Sequence, residues 1–217
     1  MNKYDTVIFD LDGTLLNTLE DLADSVNYAL TLHGFPCREI TEVRSFAGNG
    51  IARLIELSVP GGINNLRYKE CLADFRSYYL KNMQNKTGAY EGIMDLLEQL
   101  SKEGYKIAIV SNKFDAAVKN LNHAYFGKYI KIAIGESIDV LKKPAPDTVF
   151  KALEKLGSIA ARAVYVGDSE VDAETSKNAG ITFVGVSWGF RDREVLEKIG
   201  VPYIIDKPLE LLKILDY

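Results

Sequence analysis

The chain has 217 residues, 47% hydrophobic and 26% charged, with a formal net charge of -4 and a pI near 5.4. Such values belong to an ordinary globular domain and exclude the disordered and membrane-embedded classes. An acidic chain without clustered Lys and Arg does not grip nucleic acid by displacing counterions, so an anionic substrate would need an attractor other than net charge. The start, MNKYDTVIFDLDGT, lacks the apolar stretch of a signal peptide, and no later run approaches the roughly 18 apolar residues of a spanning helix. The expected location is cytoplasmic, without a membrane partner, and Cys37 and Cys71 read as two ordinary thiols.

In chain order, the first apolar run covers residues 6–9. It is continuous rather than alternating, as suits a strand buried on both faces. Residues 16–86 then break the β pattern with three helical segments, 18–32, 41–57 and 65–83, and no convincing strand. The joins around 15–17 and 85–88 are polar or contain Gly, as hinges between modules often are. Beyond them, apolar runs at 106–110, 130–134, 163–166, 181–186 and 203–205 alternate with amphipathic segments. One segment carries Ile93, Leu96, Leu97 and Leu100; another carries Val149, Phe150, Leu153 and Leu156, closed by Gly157. Strands alternating with helices imply right-handed βαβ units and a doubly wound, Rossmann-like parallel α/β sheet. The expected organisation is an α/β core of 1–15 and 87–217, with 16–86 inserted after the first strand as a small all-helical module.

In an open parallel sheet, ligands gather at the carboxyl ends of the strands. There the sequence places Asp10-Leu11-Asp12-Gly13-Thr14, Ser111-Asn112-Lys113, and Gly167-Asp168 with Asp172 beyond; Lys142-Lys143-Pro144-Ala145-Pro146-Asp147 lies before the 163–166 run. Carboxylates crowded on one edge repel each other, and removing them from water unpaired costs several kcal/mol. A hard divalent cation resolves the conflict, and oxygen-only ligation favours Mg²⁺. Asp168 and Asp172 are four apart at the expected start of a helix over 167–178, so both can face the ion. Asp10 and Asp12 share a face if their segment is extended, and Gly13 permits an unusual backbone beside them. Alone, an Asp after a strand is as readily a turn or capping residue.

DLDGT, SNK, KKPAPD and GDSEVD, in this order, resemble the four motifs of the haloacid dehalogenase superfamily across essentially the whole chain. The helical insert resembles the small cap of the phosphoglycolate phosphatase subgroup. The resemblance implies that Asp10 is a nucleophile forming an aspartyl-phosphate and that Asp12 protonates the leaving oxygen and later activates water. It implies that Ser111 hydrogen-bonds the phosphoryl group, while Lys143, the lysine directly before proline, neutralises charge on it and on Asp10. Mg²⁺ would be held by Asp10, Asp168 and the Asp12 carbonyl, with Asp172 supporting the shell. Gly13, Thr14 and Asn112 are expected to face substrate. Asp147 reads as a helix cap, and His33, before Gly34, as a structural residue at a helix end.

In the insert, Arg44-Ser45-Phe46-Ala47-Gly48-Asn49-Gly50 resembles the cap loop that meets substrate in phosphoglycolate phosphatases. Gly48 and Gly50 would let the backbone approach a small carboxylate, with Arg44 pairing to it and Asn49 alongside. A Gly-rich turn opening a helix over 51–57 is an equally good reading of those residues.

The expected activity is Mg²⁺-dependent hydrolysis of a small phosphorylated metabolite, 2-phosphoglycolate first, by a monomer or homodimer. Asp12 argues against dehalogenases and phosphonatases, which lack that second aspartate. β-Phosphoglucomutases keep both aspartates, but usually carry a bulky aliphatic residue where this chain has Thr14. Pyrophosphatases and sugar-phosphate or nucleotide phosphatases share the core, so the cap must discriminate among them. A non-catalytic binding role is the alternative of a different class; every catalytic position is intact, which argues against it, and a complete lack of Mg²⁺-dependent turnover on phosphate esters would favour it.

Overall fold

The continuous apolar runs become strands of one parallel sheet. A computed structural model describes residues 3–215. It divides into two compact units: Asn17–Gly88, and the remainder up to Leu16 and from Ala89 onward. β1 (Thr6–Phe9) leads through the two-residue β2 (Leu16–Asn17) into four helices, α1 (Leu19–Leu32), α2 (Ile40–Phe46), α3 (Ile51–Ser58) and α4 (Tyr68–Asn82). A second two-residue strand, β3 (Gly88–Ala89), pairs with β2 in its own small sheet. Helices and strands then alternate: α5 (Ile93–Lys102), β4 (Lys106–Phe114), α6 (Asp115–Leu121), β5 (Ile132–Glu136), α7 (Asp147–Leu156) and β6 (Ala163–Gly167). The chain continues through α8 (Glu170–Ala179), β7 (Thr182–Val186), α9 (Arg193–Lys198), β8 (Tyr203–Ile205) and α10 (Leu211–Leu215).

The main sheet has the order β5-β4-β1-β6-β7-β8, with every neighbouring pair parallel. β1 and β6 are buried at every position, which explains why neither alternates apolar with polar residues. One core layer packs Ile8, Val110 and Tyr165 of the sheet with Val149, Ala152 and Leu153 of α7. That helix ends at Gly157, whose left-handed backbone lets its N–H close onto the Leu153 and Glu154 carbonyls.

Several boundaries differ from the sequence reading. β4 extends past Val110 to Phe114, with a shift of register against β5, because its polar tail finds partners in the site. The strand expected at 130–134 starts at Ile132, since the Ile130 N–H closes a turn onto Phe126. The helix expected over 41–57 is two helices. Ala47 caps α2 in extended backbone, and Gly48 and Gly50, at φ 110 and 82, carry the chain into α3. The helix expected from Gly167 begins at Glu170, with Ser169 as its N-cap, so Asp168 precedes the helix. Asp147 is the first residue of α7 and not its cap, which is Pro146.

The helical unit has a core of its own. Leu30, Ile55, Phe75 and Tyr79 are fully buried there, each burial stabilising the unit by about 1.5–3 kcal/mol. The Phe75 and Tyr79 rings stack at 5.6 Å. Buried Asp21 accepts from Lys86 N at 3.1 Å, Thr87 N at 2.9 Å and Thr87 Oγ1 at 2.8 Å, tying the first turns of α1 to the segment that ends the unit. His33 caps the C-terminus of α1 and pairs with Asp74 at 2.9 Å. Among the described residues, no helix is long and apolar enough to cross a membrane.

Candidate active site

Parallel pairing of β4, β1 and β6 brings three strand ends side by side, and their polar residues meet there. Asp10 follows β1 directly, and its N–H donates to Val166 of β6 at 2.9 Å. Asp168 follows β6, and Asp172 sits in the first turn of α8. All three are buried, and one oxygen from each lies within 4.8 Å of the others.

Lys143 enters from the segment between β5 and α7. Its Nζ donates to Asp10 Oδ1 at 2.7 Å, to Asp172 Oδ1 at 2.7 Å and to Tyr165 Oη at 3.2 Å. An ammonium has three donors, and these partners saturate them. Asn112 fixes the lysine's main chain, accepting from Lys143 N at 2.7 Å and donating to its carbonyl at 3.0 Å. Asn112, expected to face substrate, thus acts on the Lys143 backbone. Lys142 is exposed, whereas Lys143, the lysine before proline, is buried.

Asp172 is heavily engaged: Oδ1 accepts from Lys143 and from Tyr165 at 3.0 Å, and Oδ2 from Ser169 Oγ at 2.6 Å and Ser169 N at 3.1 Å. Asp168 receives the Phe190 N–H on Oδ2 at 2.6 Å and the Thr14 hydroxyl on Oδ1 at 3.4 Å. Gly13, at φ 87, makes room for it: a Cβ there would lie 2.8 Å from Asp168 Cγ. Buried Ser111 accepts the Lys113 N–H at 3.1 Å.

Three buried carboxylates face one ammonium, and the imbalance appears in the proton affinities of Asp10 and Asp168. Burial raises Asp10 well above the carboxylate range; Lys143 opposes the rise, and Asp172 and Asp168 reinforce it. Burial and the neighbouring Asp172 push Asp168 up to about 7, against the Phe190 N–H. Burial works against the charge on Lys143, but Asp10 and Asp172 outweigh it and hold the ammonium protonated. Three carboxylates answered by one ammonium are two positive charges short, and such a set of oxygen donors suits a hard divalent cation; these residues fit one.

Asp12 lies apart from the acid triad. Its Oδ1 meets Lys113 Nζ at 3.0 Å, and the lysine side chain is only 2% exposed. Lys113 and Tyr165 are the site residues that sequence reasoning passed over. Lys113 stood inside the SNK motif, where its charge was the available signal. Tyr165 was hidden in an apolar strand. Arg44, Gly48, Asn49 and Gly50 belong to the helical unit, where the last turn of α2 and the break before α3 bring them together.

The family profile described as haloacid dehalogenase-like hydrolase matches residues 7–186. The chain belongs to this family. As a haloacid dehalogenase-like hydrolase it resembles curated enzymes along almost its full length. A phosphoglycolate phosphatase of Mesorhizobium japonicum is 33% identical over 195 residues, covering 88% of this chain and 86% of the relative. The phosphoglycolate phosphatase of Aquifex aeolicus is 31% identical, covering 97% and 96%. A solved structure from Lactobacillus delbrueckii subsp. bulgaricus, whose phosphoglycolate phosphatase activity is itself a prediction, superposes with a TM-score of 0.93 at 32% identity, covering 98% of each chain.

Proposed function

We propose that this phosphatase hydrolyses 2-phosphoglycolate, or a closely similar small phosphate monoester, through a covalent phosphoryl intermediate on Asp10 with Mg²⁺ as cofactor. The observation that carries the reading is the position of Asp10, whose carboxylate is shared between Lys143 and the acid triad. A carboxylate attacks without first losing a proton, and phosphoryl transfer demands mainly positioning and charge neutralisation.

Asp10 and Asp168, with the Asp12 carbonyl, are the groups assigned to hold Mg²⁺; when bound, the ion neutralises charge on the phosphoryl oxygens. Asp172, already committed to Lys143 and Ser169, acts by supporting that shell. Lys143 aligns Asp10 and, together with a bound cation, would favour its ionised form against burial; it then stabilises the equatorial charge of the transferring group. Ser111 offers a hydroxyl to the same group. Asp10 forms a bond to phosphorus as the ester P–O bond breaks, and Asp12 gives its proton to the departing alkoxide. The restored Asp12 carboxylate then takes a proton from the water that attacks phosphorus, releasing inorganic phosphate and Asp10. Lys113 holds Asp12 in place for both transfers.

The substrate assignment is supported by the relatives named phosphoglycolate phosphatase and by the cap-loop resemblance. In this reading residues 16–86 form the cap, and Arg44 with the turn at Gly48-Asn49-Gly50 recognises the substrate's carboxylate. Phosphate release in the presence of MgCl₂ tests it, with 2-phosphoglycolate, pyrophosphate, sugar phosphates and nucleotides compared on one plate. The expected outcome is the highest kcat/KM for 2-phosphoglycolate. A preference for pyrophosphate or a hexose phosphate would reassign the substrate, and no turnover on any ester would remove the reading.

A further inference from the structure

The segment after β7 belongs to none of the four motifs, yet three consecutive residues of it reach the catalytic strand ends. The Trp188 indole Nε1–H donates to the Thr14 carbonyl at 3.0 Å. The Phe190 main-chain N–H donates to Asp168 Oδ2 at 2.6 Å. Between them, a Cβ on Gly189 would overlap the Cβ of Asp168 and come within 2.6 Å of the Gly13 carbonyl oxygen. Arg191 fastens the far side of the segment, its Nε donating to Glu170 at the start of α8 at 2.9 Å.

The sheet pins Asp10 by its N–H on Val166, but its β1–β6 pairing stops short of Asp168 and of the loop at 13–14. Paired residues of β1 and β6 end at Phe9 and Val166, and the Asp10 N–H to Val166 contact is the last rung beside the site. Beyond it, the loop at 13–14 and the loop at 168–169 meet through a long hydrogen bond, Thr14 Oγ1 to Asp168 Oδ1 at 3.4 Å, and the close approach of Gly13. A hard divalent ion demands ligand oxygens at nearly fixed distances, so sub-ångström drift between those loops weakens its grip.

We propose that residues 188–190 form a positioning strap that sets the geometry of the cation site. In it, Trp188 holds the first-motif loop by its Thr14 carbonyl, Phe190 holds the Asp168 carboxylate, and Gly189 permits the close approach of both. The proposal rests on the reading of Asp10 and Asp168 as ligands of a divalent ion. The strap residues touch neither substrate nor ion; they act through Asp168 and the loop at Thr14.

Mn²⁺ binding to the full-length chain, followed by loss of the free-ion electron paramagnetic resonance signal, tests the strap without using turnover. Wild type should bind the ion and Asp168→Asn should not. Trp188→Phe keeps an aromatic ring and deletes the N–H, and should weaken Mn²⁺ about 3- to 10-fold. Gly189→Ala, which drives a methyl into Asp168, should weaken it about 10- to 100-fold. In steady-state hydrolysis of 2-phosphoglycolate at fixed MgCl₂, kcat should fall in both variants while KM stays near wild type. Denaturation midpoints separate positioning from packing: variants that lose stability but bind Mn²⁺ like wild type overturn the strap. If Gly189→Ala does not fold, Trp188→Phe decides alone, and unchanged Mn²⁺ affinity in it overturns the proposal. Absence of Mn²⁺ binding by wild type would instead remove the cation site, and the strap with it.

Discussion

The strand ends of the α/β unit and the turn between α2 and α3 in the helical unit both carry candidate functional residues, and they are built on opposite principles. At the strand ends, buried charges answer one another at fixed distances: Lys143 contacts Asp10 and Asp172 at 2.7 Å each, and Lys113 contacts Asp12 at 3.0 Å. In the helical unit, Arg44 and residues 48–50 lie on a short break between helices, where no residue but Ala47 is buried from Arg44 to Gly50. Groups that perform one reaction need a rigid, desolvated frame. Groups that choose among substrates can sit on a turn, where residues change without disturbing a core.

The largest separation between the two regions should come from Asp10→Asn. An amide cannot act as the nucleophile, so kcat should fall by at least about 10⁴-fold in phosphate-release assays, with the thermal midpoint close to wild type. Residual activity within about tenfold of wild type would move the nucleophile elsewhere.

Removal of the divalent ion should come next. At an Mg²⁺ concentration 100 times its Kd, binding stabilises the native state by about 2.7 kcal/mol, so chelation should lower the midpoint by several degrees. Hydrogen exchange should then rise around Asp10 and Asp168 and stay unchanged at residues 44–50. Equal deprotection in both regions would contradict the division of labour.

Arg44→Ala should have the smallest effect. Losing one charged hydrogen bond to substrate should raise KM for 2-phosphoglycolate about 10- to 100-fold with kcat little changed. Hydrolysis of phenyl phosphate, which has no carboxylate, should be unaffected. A matching loss on both esters would deny Arg44 a role in selection.

The difference between the regions also governs what the sequence could reveal. Asp10, Ser111 and Asp168 stand at the ends of apolar runs, with Asp12 and Asp172 close behind, so those runs point to them; Lys143, in the segment between β5 and α7, was singled out only by the resemblance, as the lysine before proline. The strand pattern itself was clear because β1 and β6 are buried on both faces. Tyr165 was not legible, since a phenol within Val-Tyr-Val looks like core until its hydroxyl is found on Lys143. The Lys113–Asp12 pair was equally hidden, because spacing along two strands does not say which charges meet across them. At Ala47–Gly50 the sequence allowed both a helical segment over 41–57 and a Gly-rich turn opening a helix over 51–57, because apolar residues continue on both sides; the positive φ of Gly48 and Gly50 makes the break. Asp168 was placed in the helix although Ser169, a good N-cap, sits between it and the first helical residue and marks the true start.

The most direct test of the account is to quench the enzyme with borohydride during turnover of 2-phosphoglycolate and map the product by mass spectrometry. An acyl phosphate on Asp10 should be reduced, converting that residue, and no other, to homoserine. An unmodified Asp10 in an enzyme that is turning over, or conversion at a different carboxylate, would contradict the claim that Asp10 carries the phosphoryl group.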